Sequence, residues 1–240
     1  MTTRLYRFTH RTVDLVEEDD ATLGGDQATP GEISLPYLTM FSTVLFMNEF
    51  DKAGLGDEVD VSKTCNMSEW HRRLYSGTTP QSSSGDEEYV DVLTLPPKPV
   101  SEGGLIYATT SKDENSKESF TSFLFAHHKP YIPKTIPSLA SQEPPQDVLD
   151  RIATNGVTHI WLCGSDPEKR RGRLMTRCME RLEKDVLEWK ASGQGSGVVT
   201  VHTIPQVFPS MAQFVLKNGF KGGDKVVGGE SGKVLYWKAL

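Results

Sequence analysis

Apolar and polar residues alternate in several short segments of this chain, and those segments predict β-strands. Residues 3–13, TRLYRFTHRTV, alternate in this way and are rich in β-branched and aromatic side chains. The same alternation, or a continuous β-branched apolar run, recurs further along the chain. These later predicted strands cover residues 103–110, 119–128, 157–164, 197–204 and 233–240. The charged turn SKDENSKE lies between the second and third predicted strands and indicates an antiparallel hairpin.

Helical periodicity marks four other segments of the chain. A helix is predicted over 35–53, and a second over 67–76 with Ser68 as its cap. A third runs from about 172 to 190, and a short fourth begins near 209 and stops at Gly219. The apolar stripe of the first helix is Leu38, Phe41, Leu45 and Phe50, and that of the third is Met175, Met179, Leu182 and Val186.

The order of these elements predicts a mixed α/β fold. The chain reads strand, two helices, three strands, helix, strand, helix and strand, with no internal repeat. We expect a single domain over 1–240, because one core can be adequately buried at this length. Surface loops are predicted over about 76–102 and 129–150. The second loop is rich in proline and long for a compact domain.

Composition excludes several classes of protein. The net charge is -6 at pH 7, so no global field attracts the chain to nucleic acid or to an anionic membrane. The spacing of Cys65, Cys163 and Cys178 fits neither a disulfide framework nor a zinc site. No apolar run is long enough to span a bilayer, and the first residues lack the apolar core of a signal peptide. We therefore expect a cytoplasmic protein with no metal, no nucleic-acid partner and no membrane partner.

A cluster of positive charge stands out against this acidic background. Residues 169–177, the basic turn, hold five cations and no acid between a predicted strand and a predicted helix. A helix start offers free backbone amides and a favourable dipole, which suit phosphate or pyrophosphate. The alternative is an exposed helix whose cations pair with Glu180, Glu183 and Asp185. The Walker loop and the G-x-G-x-x-G fingerprint are both absent, and no aromatic residues interleave the cations as in nucleic-acid sites.

Four stretches of sequence carry a resemblance to a known family. HIWLCGSDPE leads into KRRGRLMTRCMERL, followed by VTVHTI and by PSMAQFVLKNGF, which ends at Gly-Phe. This arrangement resembles the GNAT superfamily of acetyl-CoA-dependent N-acetyltransferases. The resemblance covers residues 103–240 well and the first 75 only by the order of elements. It implies a central, mostly antiparallel twisted sheet flanked by helices, with the cofactor strand splayed from its neighbour.

The resemblance also implies which residues bind acetyl-CoA. The backbone at Leu162, Cys163 and Gly164 would contact the pantetheine and acetyl group. The turn and helix start would bind the pyrophosphate, through Lys169, Arg170, Arg171, Gly172, Arg173, Leu174 and Met175. The family motif R/Q-x-x-G-x-G/A fits here in more than one register. With Lys169 first, Gly172 is the central glycine. With Arg170 first, Arg173 and Met175 replace both glycines. A third alternative is a loop shortened just before Arg173.

Two histidines and a serine are the candidate catalytic residues. His202 lies on the strand VTVHT, and alternation should turn one of His127 and His128 inward. We select His202 and His127 as candidate bases and Ser210 as a candidate donor to the departing thiolate. The structural alternatives are a half-exposed strand histidine, a solvated strand end and a helix cap. Members of the resembled family often carry a Tyr four residues before the Gly of GF, and that place is Val215 here.

These features predict an acetyl-CoA-dependent N-acetyltransferase that acts on a primary amine of a small molecule. Two alternatives stay open: a non-catalytic GNAT-like domain that binds CoA or a partner, and a protein or peptide N-acetyltransferase. Aromatic residues of the two early helices would either hold a hydrophobic amine or pack in the core. They are Tyr37, Phe41, Trp70 and Tyr75. A homodimer is compatible with the sequence.

Overall fold

An eight-stranded mixed sheet forms the centre of the protein. The computed structural model describes residues 3–9, 12–18, 33–56, 60–63, 65–76, 104–112, 118–129, 144–226 and 232–240. The strands are β1 (Thr3–Phe8), β2 (Val13–Glu18), β3 (Gly104–Lys112), β4 (Glu118–Lys129), β5 (Val157–Ser165), β6 (Val198–Thr203), β7 (Lys221–Val226) and β8 (Val234–Ala239). The helices are α1 (Leu35–Lys52), α2 (Met67–Ser76), α3 (Gln146–Asn155), α4 (Leu174–Ala191) and α5 (Pro209–Lys217). Short 3-10 helices cover Val61–Lys63 and Pro167–Gly172.

The strand order is β2-β1-β3-β4-β5-β6-β8-β7, and only β5 and β6 run parallel among the pairs described. A parallel pair needs a crossover connection, which α4 supplies on the way from β5 to β6. The predicted mixed fold with a mostly antiparallel sheet and flanking helices is confirmed.

Strands β5 and β6 separate after a short common stretch. Their ladder consists of Thr158↔Val199, His159↔Thr200 and Ile160↔Val201. Beyond it β5 continues along β4 as far as Ser165. The register shifts by one residue at Trp161, so β5 carries a bulge where the two strands part. The predicted splaying of the cofactor strand is therefore confirmed, and it opens a gap on one side of β5.

Two apolar layers cover the two faces of the sheet. On one face, residues of α4 and α5 pack against β3, β4, β5, β6 and β8. On the other face, α1 and α2 pack around Trp70, Phe123 and Phe125, which are all 0% exposed. The Trp70 ring lies 5.3 Å from that of Phe125 and 5.6 Å from that of Phe123, between ring centroids. Truncating one of these rings to alanine would cost roughly 3–5 kcal/mol.

Helix α4 is joined to the sheet by a buried polar network as well as by its apolar stripe. Asp185 is 4% exposed and accepts from the Tyr107 hydroxyl. Asp185 Oδ1 lies 2.9 Å from Arg181 Nη2, and Asp185 Oδ2 lies 3.5 Å from Nη1 of Arg7 on β1. Burial and the Asp185 charge raise the pKa of Tyr107, so this hydroxyl stays a donor. The network joins the second half of α4 to β1 and β3.

Two parts of the fold differ from the prediction: the first predicted strand and the second predicted loop. The strand predicted over 3–13 is two strands, because the chain turns where Thr9 N donates to Thr12 O at 2.9 Å. The loop predicted over about 129–150 ends earlier, because α3 begins at Gln146 and buries Val148 and Ile152. Most of its Pro-rich part, 130–143, and all but the first residue of the loop predicted over about 76–102 lie outside the described residues.

Strand β7 was also not predicted, and its glycines explain why. Gly222 and Gly223 have φ of 103° and 101°, in the region that favours glycine. A Cβ on Gly222 would lie 2.6 Å from the carbonyl oxygen of Leu235 on β8. The strand therefore pairs closely with β8 while showing no alternation of apolar side chains.

Candidate active site

A cleft of about 240 Å³ opens at the end of β5, where β6 has turned away. Four elements line it: the second half of α1, the last residues of β5, the start of α4 and the start of α5. Its lining residues are Leu45, Glu49, Cys163, Gly164, Ser165, Arg173, Leu174, Met175, Thr176, Ser210, Met211 and Phe214. The structure thus brings together Cys163, Gly164, Arg173, Leu174, Met175 and Ser210 from the set predicted by sequence.

The backbone of β5 turns polar groups toward this cleft. Asp166 N donates to Thr121 O of β4 at 2.8 Å, which sets the phase of the antiparallel ladder. Because such a ladder alternates, Gly164 also bonds to β4, whereas the amides of Cys163 and Ser165 point the other way. Beyond the last β5–β6 pair, none of the described residues of β6 pairs with them. These two amides are therefore available to hydrogen-bond an extended ligand lying in the gap.

Gly164 lets α1 approach β5 closely. A Cβ at this position would lie 2.3 Å from Cδ2 of Leu45. Any larger residue would displace Leu45, which is 7% exposed. Leu162 faces the same side as Gly164 and packs in the α1–α2 layer, away from the lining of the cleft.

The start of α4 leaves backbone amides open to the cleft. The first intrahelical bond joins Arg177 N to Arg173 O at 3.1 Å, so the amides of Leu174, Met175 and Thr176 precede the helical ladder. The helix has neither a side-chain cap nor an acid in its first turn. All three residues line the cleft. Free amides and the positive end of a helix dipole are features that suit an anion.

Arg173 adopts the left-handed conformation, with φ 54° and ψ 21°. It is the one non-glycine residue with positive φ among those described. Gly172 is the last residue of the preceding 3-10 helix. The position that favours glycine is therefore 173. This geometry supports the register in which Arg170 comes first and Arg173 and Met175 replace the two glycines.

The cations of the basic turn have different surroundings. Lys169 Nζ donates to Ser119 Oγ at 3.1 Å and so reaches toward β4. Arg173 is 79% exposed in its side chain and lies 3.5 Å from Glu180. Arg177 lies 3.5 Å from Glu17 of β2. The side chains of Arg170 and Arg171 lie outside the described residues. Pairing with acids, the alternative that we considered from sequence, is thus present at Arg173, although its exposure makes that pair weak.

Three histidines form a row across β4, β5 and β6 on the α1–α2 face. The rings of His127 and His159 lie 5.6 Å apart between centroids, and those of His159 and His202 lie 5.0 Å apart. His202 comes directly after the last β5–β6 pair, so it stands at the fork where the strands part. His159 Nδ1 lies 2.9 Å from Thr200 Oγ1. His159 is 4% exposed and lies in the middle of the sheet.

His127 faces inward as alternation predicts, and it is 2% exposed. Its Nδ1 lies 3.2 Å from the carbonyl oxygen of His128, so Nδ1 carries the proton. Its Nε2 then accepts from Arg73 Nη1 at 3.4 Å. His127 is the member of the row farthest from the fork.

Burial and neighbouring cations lower the pKa of His159 and of His202. Burial, with the charges of Lys129 and Lys233, lowers the pKa of His202 to about 4. Burial and Lys129 likewise hold the pKa of His159 well below its ordinary value. His202 is therefore an unprotonated imidazole at neutral pH, able to accept a proton or a hydrogen bond.

Helix α5 contributes a hydroxyl to the cleft. Its N-cap is Phe208, so Ser210 lies inside the first turn and does not cap the helix. Ser210 is exposed and lines the cleft. Val215, the place where the resembled family often has a Tyr, is 0% exposed in the core. Phe214, one residue earlier, faces the cleft instead.

The three thiols are free. Cys163 Sγ lies 3.5 Å from Met211 Sδ, and burial raises the pKa of this thiol to about 12. A thiol with so high a pKa is a poor nucleophile. Cys163 therefore contributes packing and backbone to the cleft.

Several lining residues escaped sequence reasoning. Ser165 and Thr176 can be assigned to the cleft only when the hydrogen-bonding pattern between β4 and β5 and the first residue of α4 are known. Leu45 and Glu49 come from α1, far away in sequence. Of the early aromatics, Trp70 is a core residue, as we favoured, and Tyr37 is 52% exposed. Phe41 packs against the core, and the side chain of Tyr75 lies outside the described residues.

Two general searches apply to the described part of the chain. No group of three or more His, Cys, Asp or Glu side chains there is placed to hold a metal ion. None of the described helices is both long and apolar enough to cross a membrane.

No protein-family model matches the chain, and no curated protein matches it. Solved structures do resemble it. A GNAT-family acetyltransferase from Staphylococcus aureus Mu50 has 9% identity and a TM-score of 0.46, over 86% of this chain and 95% of that chain. Aminoglycoside 6'-acetyltransferase type Ii has 13% identity and a TM-score of 0.43, over 87% of this chain and 95% of that chain. Arabidopsis thaliana NAA60 in complex with acetyl-CoA has 15% identity and a TM-score of 0.34, over 56% of this chain and 75% of that chain.

These structural neighbours include several acetyltransferases of the GNAT family, as the resemblance of the sequence implies. At such identities and TM-scores the likeness concerns the fold. The nature of the acceptor does not follow from it.

Proposed function

We propose that the protein transfers the acetyl group of acetyl-CoA to a primary amine of a small molecule. One observation carries this proposal: the uncapped start of α4 opens into the gap left where β5 parts from β6. Such a site offers amides for a pyrophosphate beside amides for an extended chain. A thioester cosubstrate with a diphosphate and an amide-bearing arm matches both sets of donors.

The residues of the cleft divide the work of binding. The amides of Leu174, Met175 and Thr176 would hold the pyrophosphate, with the cations of the basic turn around it. The amides of Cys163 and Ser165 would hold the pantetheine arm and orient the thioester carbonyl. Positioning of the thioester against the amine would then supply most of the rate enhancement.

Proton transfer falls to His202 and Ser210 in this proposal. The amine nitrogen attacks the carbonyl carbon, the C–N bond forms, the C–S bond breaks, and the amine loses a proton. His202 stands at the fork, outside the lining of the cleft, and would accept that proton as a neutral imidazole. Ser210 is the hydroxyl of α5 that lines the cleft, and it can donate to the departing thiolate. A free thiol has a pKa of roughly 8–9, so the thiolate also leaves without strong assistance.

A second candidate is binding of CoA without catalysis. The observation in its favour is Phe214, which faces the cleft and lacks the hydroxyl that a tyrosine would provide. A protein or peptide acceptor is a further alternative to a small amine. The same cleft would bind CoA in all of these cases, so turnover and acceptor size separate them.

A panel of amines, polyamines, amino acids and peptides, assayed with acetyl-CoA for thiol release, tests the proposal. Turnover with a small amine is expected. His202→Ala should lower the rate by roughly 10²-fold, and Ser210→Ala by less than about tenfold. His71→Ala, an exposed histidine of α2, is the matched control and should leave the rate unchanged. Binding of CoA without turnover of any acceptor would overturn the enzymatic proposal and support the second candidate.

A further inference from the structure

Positive charge gathers beside the histidine row on the α1–α2 face of the sheet. We call Arg73, Lys129 and Lys233 the cationic group. Alternation along β4 puts Lys129 on the same face as His127. Arg73 reaches the row from α2, with its guanidinium carbon 3.8 Å from the centroid of Trp161 at the β5 bulge. Lys233 directly precedes β8, whose Leu235 pairs with His202.

The group consists of one arginine that is paired with an acid and two lysines. Glu69 accepts from Arg73 at 2.6 Å and also pairs with Arg72. Within the described part of the chain, no carboxylate lies within salt-bridge distance of Lys129 or Lys233. Lys129 is half-buried, so it contacts solvent while much of its surface is packed. A half-buried ammonium without a counter-charge is costly unless an anion accompanies it.

The titration of neighbouring groups agrees with this imbalance. Burial, Arg73 and Lys233 lower the pKa of Lys129 to about 8. After burial, the charge of Lys129 has the largest effect in lowering the pKa of His202 and of His159. A bound anion would relieve all three groups at once.

We propose that the cationic group binds an anionic substituent of the acceptor, so that the substrate is a small amine carrying a carboxylate or a phosphate. This inference rests on the proposed acetyl transfer. Lys129 and Lys233 act on His202 from the end of β4 and from the residue before β8, whereas the basic turn follows β5. An acceptor held at the cationic group by its anionic end presents its amine to His202 and to the thioester.

The same arrangement links recognition to catalysis. Burial and the charges of Lys129 and Lys233 disfavour the imidazolium of His202 when the site holds no anion. An anionic acceptor cancels that charge and makes His202 a stronger base as the amine arrives. Neutral amines lack this effect. They should therefore be poor substrates even at high concentration.

The first test measures anion binding without acetyl transfer. The NMR signals of the His202 ring are titrated against pH in sodium phosphate and in sodium chloride of equal ionic strength. Phosphate should raise the His202 pKa in the wild type. Lys129→Gln should raise it in chloride and abolish the added effect of phosphate. Lys184→Gln, an exposed lysine of α4, is the control and should behave as the wild type.

The second test compares matched acceptors in the thiol-release assay: β-alanine with β-alaninamide, and phosphoethanolamine with ethanolamine. The anionic member of at least one pair should have a kcat/KM higher by about tenfold or more, as expected for a charge-assisted contact. The pair that shows the preference identifies carboxylate or phosphate. Lys129→Gln should remove the preference, and Lys184→Gln should keep it.

The outcomes separate the two proposals. Turnover that is equal for neutral and anionic amines, with a His202 pKa unmoved by phosphate, overturns this inference and leaves acetyl transfer standing. A phosphate effect that depends on Lys129, with no turnover of any amine, overturns the proposed acetyl transfer and the acceptor assignment together, while the anion site remains.

Discussion

Replacing Arg173 by glycine separates the two effects that this residue has at the start of α4: its backbone conformation and its charge. Arg173 has φ 54° and ψ 21°. A side chain in this left-handed region costs roughly 1–2 kcal/mol. Arg173→Gly removes that cost, while the greater freedom of glycine in the unfolded chain offsets roughly 0.5–1 kcal/mol. We therefore expect the free energy of unfolding to rise by about 0.5–1 kcal/mol.

Arg173→Ala is the matched control, because it removes the same guanidinium and keeps a side chain in the left-handed conformation. Urea denaturation should show the glycine variant more stable than the alanine variant by about 1 kcal/mol, and its Tm higher by roughly 2–4 °C. CoA affinity, measured by calorimetry, should fall by a similar small factor in both variants, since both lose one cation beside the cleft. A glycine variant no more stable than the alanine variant would refute the assigned backbone strain.

Three further predictions test the cleft and the sheet beneath it. Phe214→Tyr puts a hydroxyl in the cleft and should raise turnover by up to about tenfold. Val215→Tyr forces a ring into the core and should lower the free energy of unfolding by roughly 1–3 kcal/mol in urea denaturation. The reverse pattern would show that the cleft lies on the other face of α5. Gly164→Ala should lower the free energy of unfolding by roughly 1–3 kcal/mol. Adding Leu45→Ala to that variant should recover part of this loss in a double-mutant cycle. Strictly additive effects of the two substitutions would argue against the close contact. Burial keeps the pKa of His159 well below 6.5, so between pH 6.5 and 5 the unfolded chain binds a proton at this residue that the folded chain does not. The free energy of unfolding should therefore fall by up to about 1.4 kcal/mol per pH unit as the pH drops from 6.5 to 5. This decrease should be smaller in His159→Gln.

The second half of the fold follows from sequence because its local signals agree with one another. β5 and β6 are rich in β-branched residues, β8 is rich in apolar and aromatic residues, and α4 has an apolar stripe that is buried. Strand β7 could not be predicted in the same way, because Gly222 and Gly223 have no side chains that could show an apolar–polar alternation. Helix α3 escapes because it follows a Pro-rich stretch and buries only Val148 and Ile152 among its interior residues.

The site was predictable in outline and not in detail. A strand, a basic turn and a helix start are local features, and they locate the anion site. Which amides face the gap depends on the phase of the β4–β5 ladder, which brings in Ser165. Which residue of α5 faces the cleft depends on how that helix lies on the sheet, and a rotation of one residue exchanges Val215 for Phe214. The cationic group joins α2, β4 and the residue before β8, which no local pattern connects.

The central claim is that CoA binds with its pyrophosphate at the start of α4. Thr176→Glu tests it most directly, because Thr176 lies in the first turn and lines the cleft. A carboxylate there suits the helix dipole, so the fold should keep its stability, yet it repels a pyrophosphate. Gln146→Glu places the same charge in the first turn of α3 and is the control.

The measurement is calorimetric titration of CoA into the wild type and both variants. We expect the wild type and Gln146→Glu to bind alike, and Thr176→Glu to bind at least about tenfold more weakly, as like charges a few ångströms apart require. No heat of binding in the wild type at millimolar CoA, or unchanged affinity in Thr176→Glu, would contradict the claim.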